Sequence, residues 1–201
     1  LVGDVGDTLD ALLPLLAGDK SSKHLETSVR HYRKARKELD SLADNDHGRT
    51  PIHPQYVARL VSELATQDAV FIPDVGSPVV WAARYLEMNG QRRLIGSFSH
   101  GTMANAVPQA IGAQSAFPDR QVVALAGDGG LAMLLGELLT LRQSKLPVKI
   151  VVFNNSSLNF VEVEMKAAGF VNYGTDLENP NFADVAKAVG IHGQRVENPN
   201  D

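Results

Sequence analysis

Apolar and polar positions along the second half of the chain alternate in blocks, not residue by residue. Short, nearly continuous apolar runs of four to six residues are separated by longer stretches with helical spacing. Residues 54–65 read as a helix and Ala69–Ile72 as a short buried strand, followed by the turn Pro73-Asp74-Val75-Gly76-Ser77-Pro78. Val79–Glu87 reads as a helix. Arg93–Ile95 reads as a strand running into the glycine-rich segment Gly96–Gly101. Met103–Phe117 carries Ala104, Ala106, Ala110, Ile111, Gly112 and Ala113 at helical spacing, small enough for close packing. Gln121–Ala126 is a strand, Leu131–Gln143 a helix and Val148–Phe153 a strand. Residues 181–189 form a last helix and Gly193–Val196 a last strand.

Strands that alternate with helices predict an α/β fold: a doubly wound, mostly parallel sheet with helices on both faces. Runs such as Val148-Lys149-Ile150-Val151-Val152-Phe153 fit strands covered on both sides. In such sheets ligands bind beyond the carboxyl ends of the strands, which directs attention to the turns after residues 73, 96, 127 and 153.

The first 53 residues have a different texture. Val5-Gly6-Asp7-Thr8 offers a helix start, with Leu9, Leu12, Leu13, Leu15 and Leu16 as a short apolar stripe. Residues 18–23 read as a linker. Residues 24–43 read as an amphipathic helix with Arg30, Arg33, Lys34, Arg36 and Lys37 on one face: a solvated helix at a domain junction, or a surface for an anionic partner. Residues 44–53 read as a loop. The chain starts at Leu1 and stops at Asp201 just as an αβ unit is finishing, so both ends read as cut from a longer polypeptide.

Composition narrows the classes. With 44% hydrophobic and 21% charged residues the chain is ordinary for a globular protein. A net charge of -4 gives no hint of a nucleic-acid partner, and none is expected. The absence of cysteine excludes disulfides, thiolate metal sites and a cysteine nucleophile within the chain. No apolar run approaches the roughly 18 residues of a membrane-spanning helix.

The candidate chemistry lies in two of the four turns. Gly127-Asp128-Gly129-Gly130 and Asn154-Asn155-Ser156-Ser157 each directly follow a buried strand, and the helix between them joins the two strands. A right-handed crossover would place the strands side by side or nearly so, and both turns would face one crevice. Glycines at 127, 129 and 130 let the backbone approach a ligand, and amides at the start of the following helix suit phosphate. Asp128 would repel phosphate unless a hard divalent cation lay between them. Mg2+, with oxygen ligands from Asp128, Asn155 and a nearby carbonyl, resolves the conflict. Two ordinary strand-to-helix turns, with Asn-Asn as a helix cap, are the alternative.

Gly127-Asp128-Gly129, the spacer 130–153 and Asn154-Asn155 together resemble the signature of thiamine diphosphate (ThDP) enzymes. The resemblance implies Asp128, Asn155 and the main-chain oxygen of Ser157 as metal ligands, with Gly129 and Gly130 on the cofactor diphosphate. Gly101-Thr102-Met103 resembles a third contact of that family. It implies a Gly101 carbonyl that accepts from the cofactor aminopyrimidine, and Met103 as a wedge beneath the bent cofactor. Around these, the resemblance implies Gly76, Ser77, Thr102, Ser156, Leu158, Asn159, Phe160 and Val161 as further cofactor-binding positions.

Longer stretches, Asp74–Pro78, Val80–Tyr85, Gly96–Ala106 and Lys145–Asn155, are similar to the bacterial pyruvate:quinone oxidoreductases of the pyruvate oxidase group. That resemblance implies pyruvate as substrate, quinone as electron acceptor, FAD bound mainly by a domain outside this chain, and a homo-oligomer. It also implies a cytoplasmic location with possible peripheral contact at the inner face of the membrane. It divides the chain into residues 1–29, the tail of an FAD-binding domain with its linker, and 30–201, a diphosphate-binding domain clipped near its end. Phe160 resembles a mobile active-site phenylalanine of the group, or is a core aromatic. His100 is an acid-base candidate or a hydrogen-bonded structural residue. Trp81 and Tyr85 read as core. Asn159 departs from the glycine expected there. An acetolactate synthase-like enzyme, a non-catalytic ThDP-binding module and a generic nucleotide-binding α/β domain remain the alternatives.

Overall fold

The computed structural model describes residues 2–16, 18, 21–44 and 49–200, and the chain divides into two compact units, Leu1–Ser41 and Leu42–Asp201. The expected linker 18–23 and loop 44–53 fall partly outside the described residues. In the first unit, α1 (Val5–Leu12) is capped by Asp4, whose side chain accepts from the Gly6 and Asp7 N–H groups, and a 3-10 turn (Leu13–Leu15) follows. Helix α2 (Lys23–Leu42) runs unbroken through the expected 29/30 boundary. It is solvated along its length, with Arg36 paired to Asp40 one turn on.

The second unit is built on four parallel strands: β1 (Val70–Pro73), β2 (Arg93–Leu94), β3 (Val122–Gly127) and β4 (Lys149–Phe153), in the order β2-β1-β3-β4. Its helices are α3 (Pro54–Leu64), α4 (Ser77–Tyr85), α5 (Ala106–Ala116), α6 (Asp128–Met133), α7 (Glu137–Ser144), α8 (Asn159–Ala167) and α9 (Phe182–Ala188). The period of two along each strand sorts its side chains onto two cores. Val70, Ile72, Val122, Ala124 and Ala126 face α5 and α7 through Ala106, Val107, Ala110, Leu138 and Leu141. Phe71, Val123 and Leu125 face the opposite layer with Ala65, Ala69, Ala82 and Leu86. Phe71 and Leu125 are fully buried, each worth about 2 kcal/mol on transfer from water. The α/β doubly wound fold is therefore as expected.

Three expectations change. The single helix Leu131–Gln143 is two, α6 and α7, separated by a turn at Leu134–Gly136. The helix expected from Met103 starts at Ala106, because Ala104 takes a left-handed φ of 62°. Gly193–Val196 is not a strand. Its apolar side chain, Val196, is 47% exposed, so little burial would reward pairing with the outer edge of β4. One element lacked any expectation: α8, whose apolar residues Phe160, Val161 and Val163 are all exposed. Tyr85 is buried as expected, whereas Trp81 is only half-buried. No described helix is long and apolar enough to cross a membrane.

One buried cation ties α3 to the sheet. Arg92, 6% exposed, donates from Nη2 to the Ser62 and Ala65 carbonyls at 3.0 and 2.8 Å, and from Nε to Thr66 at 3.1 Å. Its Nη1 reaches the Glu87 carbonyl at 2.9 Å, and the guanidinium lies over the Phe71 ring. These carbonyls include the unpaired ones that end α3, where the helix dipole also favours a cation. We predict that Arg92→Ala costs about 3 kcal/mol or more, since it strips several buried carbonyls of their donor. Arg92→Lys should recover only part, because a point cation cannot reproduce the planar fork. Urea unfolding of both variants checks this.

Candidate functional site

Strand register brings the turns together. Pro73 pairs with Leu125 and Gly127 with Phe153, so β1, β3 and β4 end on the same edge of the sheet. The turns that follow are those singled out in the sequence. The fourth, Gly101–Asn105, is joined to them by Asp74. That carboxylate is 2% exposed; Oδ1 accepts from the Ala106 N–H at 2.9 Å and Oδ2 from the Gly127 N–H at 3.2 Å. Asn105 completes the junction, donating to the Pro73 carbonyl at 3.1 Å and accepting from the Val75 N–H at 3.3 Å.

The glycines are explained by this packing. A Cβ on Gly130 would land on Oδ2 of Asp74, with the Ala104 backbone nitrogen at 3.3 Å. A Cβ on Gly129 would meet Leu158 Cδ2 at 2.9 Å, Leu177 Cδ1 at 3.3 Å and Met103 Cε at 3.7 Å. So Met103 and Leu158, expected on the cofactor, both pack over Gly129, and the Met103 turn is held to the Asp128 turn. Gly76 sits at φ 136°, ψ -156°, a region open to glycine, where it starts α4. Gly101 has φ 73°, and its N–H donates to the Ser97 carbonyl at 2.7 Å, while the Thr102 N–H donates to Ser97 Oγ at 3.1 Å.

Asp128 is 3% exposed and joins the two halves of the motif. Its Oδ1 accepts from the Gly129 N–H at 2.9 Å. Oδ2 accepts from the Ser156 N–H at 2.6 Å and from Asn179 Nδ2 at 2.8 Å. Asn155 Oδ1 accepts from the Ser157 N–H at 3.1 Å, and Ser157 Oγ donates to Glu162 at 2.8 Å. Hydrogen bonds from Lys166, and then from Ser157, hold the Glu162 carboxyl below its ordinary range. Ser77 Oγ donates to Asn159 Oδ1 at 3.0 Å, linking the β1 turn to the start of α8. Ser156 carries φ 56°, so two of the three described non-glycine residues with positive φ, Ala104 and Ser156, lie in these turns.

The donor set fits a hard divalent cation with an anionic ligand. It offers one carboxylate and the neutral oxygens of Asn155 and the Ser157 carbonyl, and among the described residues no cluster of three His, Cys, Asp or Glu could hold a metal unaided. Mg2+ of this kind draws the rest of its shell from phosphate and water. The helix start is less help than expected. Helix α6 has six residues and begins at Asp128 itself, and the Gly129 amide is committed to the Asp128 side chain.

Phe160 and Val161, 38% and 42% exposed, stand at the open start of α8, so Phe160 is not a core aromatic in this chain. His100 is exposed. Sequence reasoning missed the roles of Asp74, Asn105 and Asn179. Asp74 and Asn105 lay inside motif stretches, but their partners are backbone groups that no spacing rule reveals. The Asn179-Pro180 step before a helix was the signal for a fixed backbone there.

We predict that Gly130→Ala destabilises the fold by about 1–3 kcal/mol through overpacking on Asp74, read by thermal unfolding. Burial pushes the Asp74 carboxyl up from its ordinary value, opposed by the N–H groups of Ala106, Gly127 and Asn105. A raised folded-state value means the folded form holds the proton more tightly, so stability falls as pH rises from about 4 through that value. The stability of wild type relative to Asp74→Asn should therefore decline over that window. A difference independent of pH would contradict this.

Comparisons with known proteins bear on the same residues. Residues 74–201 match the model of the family "Thiamine pyrophosphate enzyme, C-terminal TPP binding domain". The chain is 38% identical over 76% of its length to the putative thiamine pyrophosphate-containing protein YdaP of Bacillus subtilis, covering 27% of that protein. It is 32% identical over 98% of its length to pyruvate oxidase of Lactiplantibacillus plantarum, covering 32% of it. It is 40% identical over 72% of its length to the acetolactate synthase large subunit of Parasynechococcus marenigrum, covering 24% of it. Among solved structures, a thiamine diphosphate-dependent 4-hydroxybenzoylformate decarboxylase of Rhodococcus jostii RHA1 superposes with a TM-score of 0.66 at 28% identity, over 72% of this chain and 27% of that one. The chain thus spans about a quarter to a third of the length of these relatives. With the four turns gathered on one sheet edge and the match spanning them, the chain belongs to the thiamine pyrophosphate enzymes, as their C-terminal TPP-binding domain.

Proposed function

We propose that this domain anchors the ThDP diphosphate through Mg2+ held by Asp128, Asn155 and the Ser157 carbonyl, in an enzyme that oxidatively decarboxylates pyruvate to acetate and CO2. In this reading electrons pass through FAD to quinone. The observation that carries the anchoring role is the Asp128 Oδ2 to Ser156 N–H contact at 2.6 Å, which draws both halves of the motif around one buried carboxylate. When bound, ThDP supplies the nucleophilic carbon and the electron sink for decarboxylation. The chain's own residues position it. Asp128 and Asn155 would hold the metal, Gly129 and Gly130 keep the floor of the crevice low, and Gly101 with Met103 would support the cofactor from the neighbouring turn. Small misplacements among these groups are costly to rate.

Pyruvate is supported by the relative named pyruvate oxidase and by the motif stretches around Asp74, Trp81 and His100. Acetolactate synthases at 40% and 36% identity support a second reading, in which the same anchor serves acetolactate formation. The intact protein, given ThDP, Mg2+, FAD and pyruvate with a quinone-like acceptor, distinguishes them. Acceptor reduction with matching acetate supports the oxidase reading, and acetolactate without acceptor reduction supports the synthase. Asp128→Ala should lose Mg2+-dependent ThDP binding and lower turnover by on the order of 100-fold or more, measured by cofactor titration and steady-state assay. Wild-type ThDP affinity in that variant would remove the anchor.

A further inference from the structure

The segment Thr175–Asn179 runs antiparallel beside the Ser156–Leu158 turn and is fastened to it at several points. Ser157 and Asp176 form an antiparallel bridge. The Leu158 N–H donates to the Thr175 carbonyl at 2.8 Å, and the Leu177 N–H to the Ser156 carbonyl at 2.9 Å. Thr175 is 1% exposed and donates to Asn172 Oδ1 at 2.7 Å, while the Leu177 side chain packs over Gly129. Beyond the strap, Pro180 fixes the exit, and Asn181 caps α9 by accepting from the Ala183 N–H at 3.1 Å. A residue before proline is confined to extended backbone, which limits where the Asn179 side chain can point.

That side chain spends both N–H groups of one amide on the two halves of the motif. Nδ2 donates to Asp128 Oδ2, at the end of β3, at 2.8 Å, and to Asn154 Oδ1, at the end of β4, at 3.0 Å. The amide orientation is fixed by chemistry. An ionised carboxylate only accepts, and Asn154 Oδ1 already accepts from the Ser156 N–H at 3.3 Å, so nitrogen must face both. We infer that Asn179 is a positioning residue for the metal. It holds the Asp128 carboxylate in its coordinating orientation and keeps the Asp128 and Asn154-Asn155 turns at a fixed separation. The inference rests on the metal reading above and adds a residue 51 positions from Asp128 and 25 from Asn154. Partners that orient metal ligands typically carry 10–100-fold in metal affinity.

The test uses the intact protein with saturating ThDP and Mn2+ as the probe ion, its free concentration read by electron paramagnetic resonance. Thermal unfolding in chelator runs beside it. Asn179→Ala should raise the Mn2+ Kd about 10–100-fold, with the midpoint in chelator close to wild type. A lowered midpoint with an unchanged Kd would mean that Asn179 only stabilises the loop, and would overturn the inference. Should the alanine variant fold poorly, Asn179→Gln decides. It keeps the amide but carries it one methylene too far, and should shift the Kd in the same direction. Asp128→Ala separates the two claims. Wild-type Mn2+ binding there removes the metal reading itself, whereas lost binding there with a wild-type Kd in both Asn179 variants removes only the role of Asn179.

Discussion

Everything at this site depends on a carboxylate buried with backbone donors in place of a cation. Asp74 leaves β1 at the point where the sheet ends and accepts N–H groups from the start of α5 and the end of β3. Burying a charge this way is costly unless hydrogen bonds are aimed at it. The backbone provides them only if β1, β3 and the Gly101–Asn105 turn hold fixed positions. The same carboxylate dictates its neighbours. Gly130 has no room for a side chain because Asp74 Oδ2 fills the space, and Ala104, packed against Gly130, takes a left-handed backbone. The glycines that look like a phosphate cradle are thus first a packing requirement. The close floor they make is what a diphosphate can exploit.

A second carboxylate ends the neighbouring strand and behaves differently. Asp128 has a main-chain partner from its own turn and another from the turn after β4, but its remaining partner is a side chain, Asn179. Asp74 locks elements that the fold has already placed side by side. Asp128 draws together two turns that follow neighbouring strands, with Asn179 bridging both. A single buried carboxylate among neutral oxygens is a poor site for a bare cation and a good one for a cation that arrives with phosphate. In the proposed reading, its electrostatic balance favours a metal–diphosphate pair over either partner alone.

The fold was legible because its central strands, β1 and β3, are buried on both faces. Runs such as Val122–Ala126 and Ile150–Phe153 show continuous apolar character that no loop maintains, although β4, at the edge of the sheet, is only half-buried and not covered on both sides as expected. The two turns at Gly127–Gly130 and Asn154–Ser157 were legible because each follows such a run directly. Gly193–Val196 misled because β propensity in a short stretch carries little weight without burial. Helix α8 was invisible for the converse reason. Its Phe160, Val161 and Val163 point away from the described core, so the pattern that betrays a helix packed on a sheet is weak there. The junction residues, Asp74, Asn105 and Asn179, could not be read from spacing, since the groups they join lie 25 to 53 residues away.

The division of labour between the two carboxylates also explains where backbone strain collects. Ala104 and Ser156 both hold left-handed conformations that alanine and serine disfavour, and each sits within two positions of a residue expected to touch the cofactor or metal. Neither conformation would persist in a free loop. Ala104 is held between Asn105, which grips the end of β1, and Gly130. Ser156 is held because its N–H donates to Asp128 while its carbonyl accepts from Leu177. Strain of this kind survives only where the surroundings over-determine it. Here the determining groups are Asp74 on one side of the crevice and Asp128 with the Thr175–Asn179 strap on the other. The turns that would contact the ligand are therefore set in place by interactions that involve no ligand at all, which is how a site avoids spending binding energy on ordering itself.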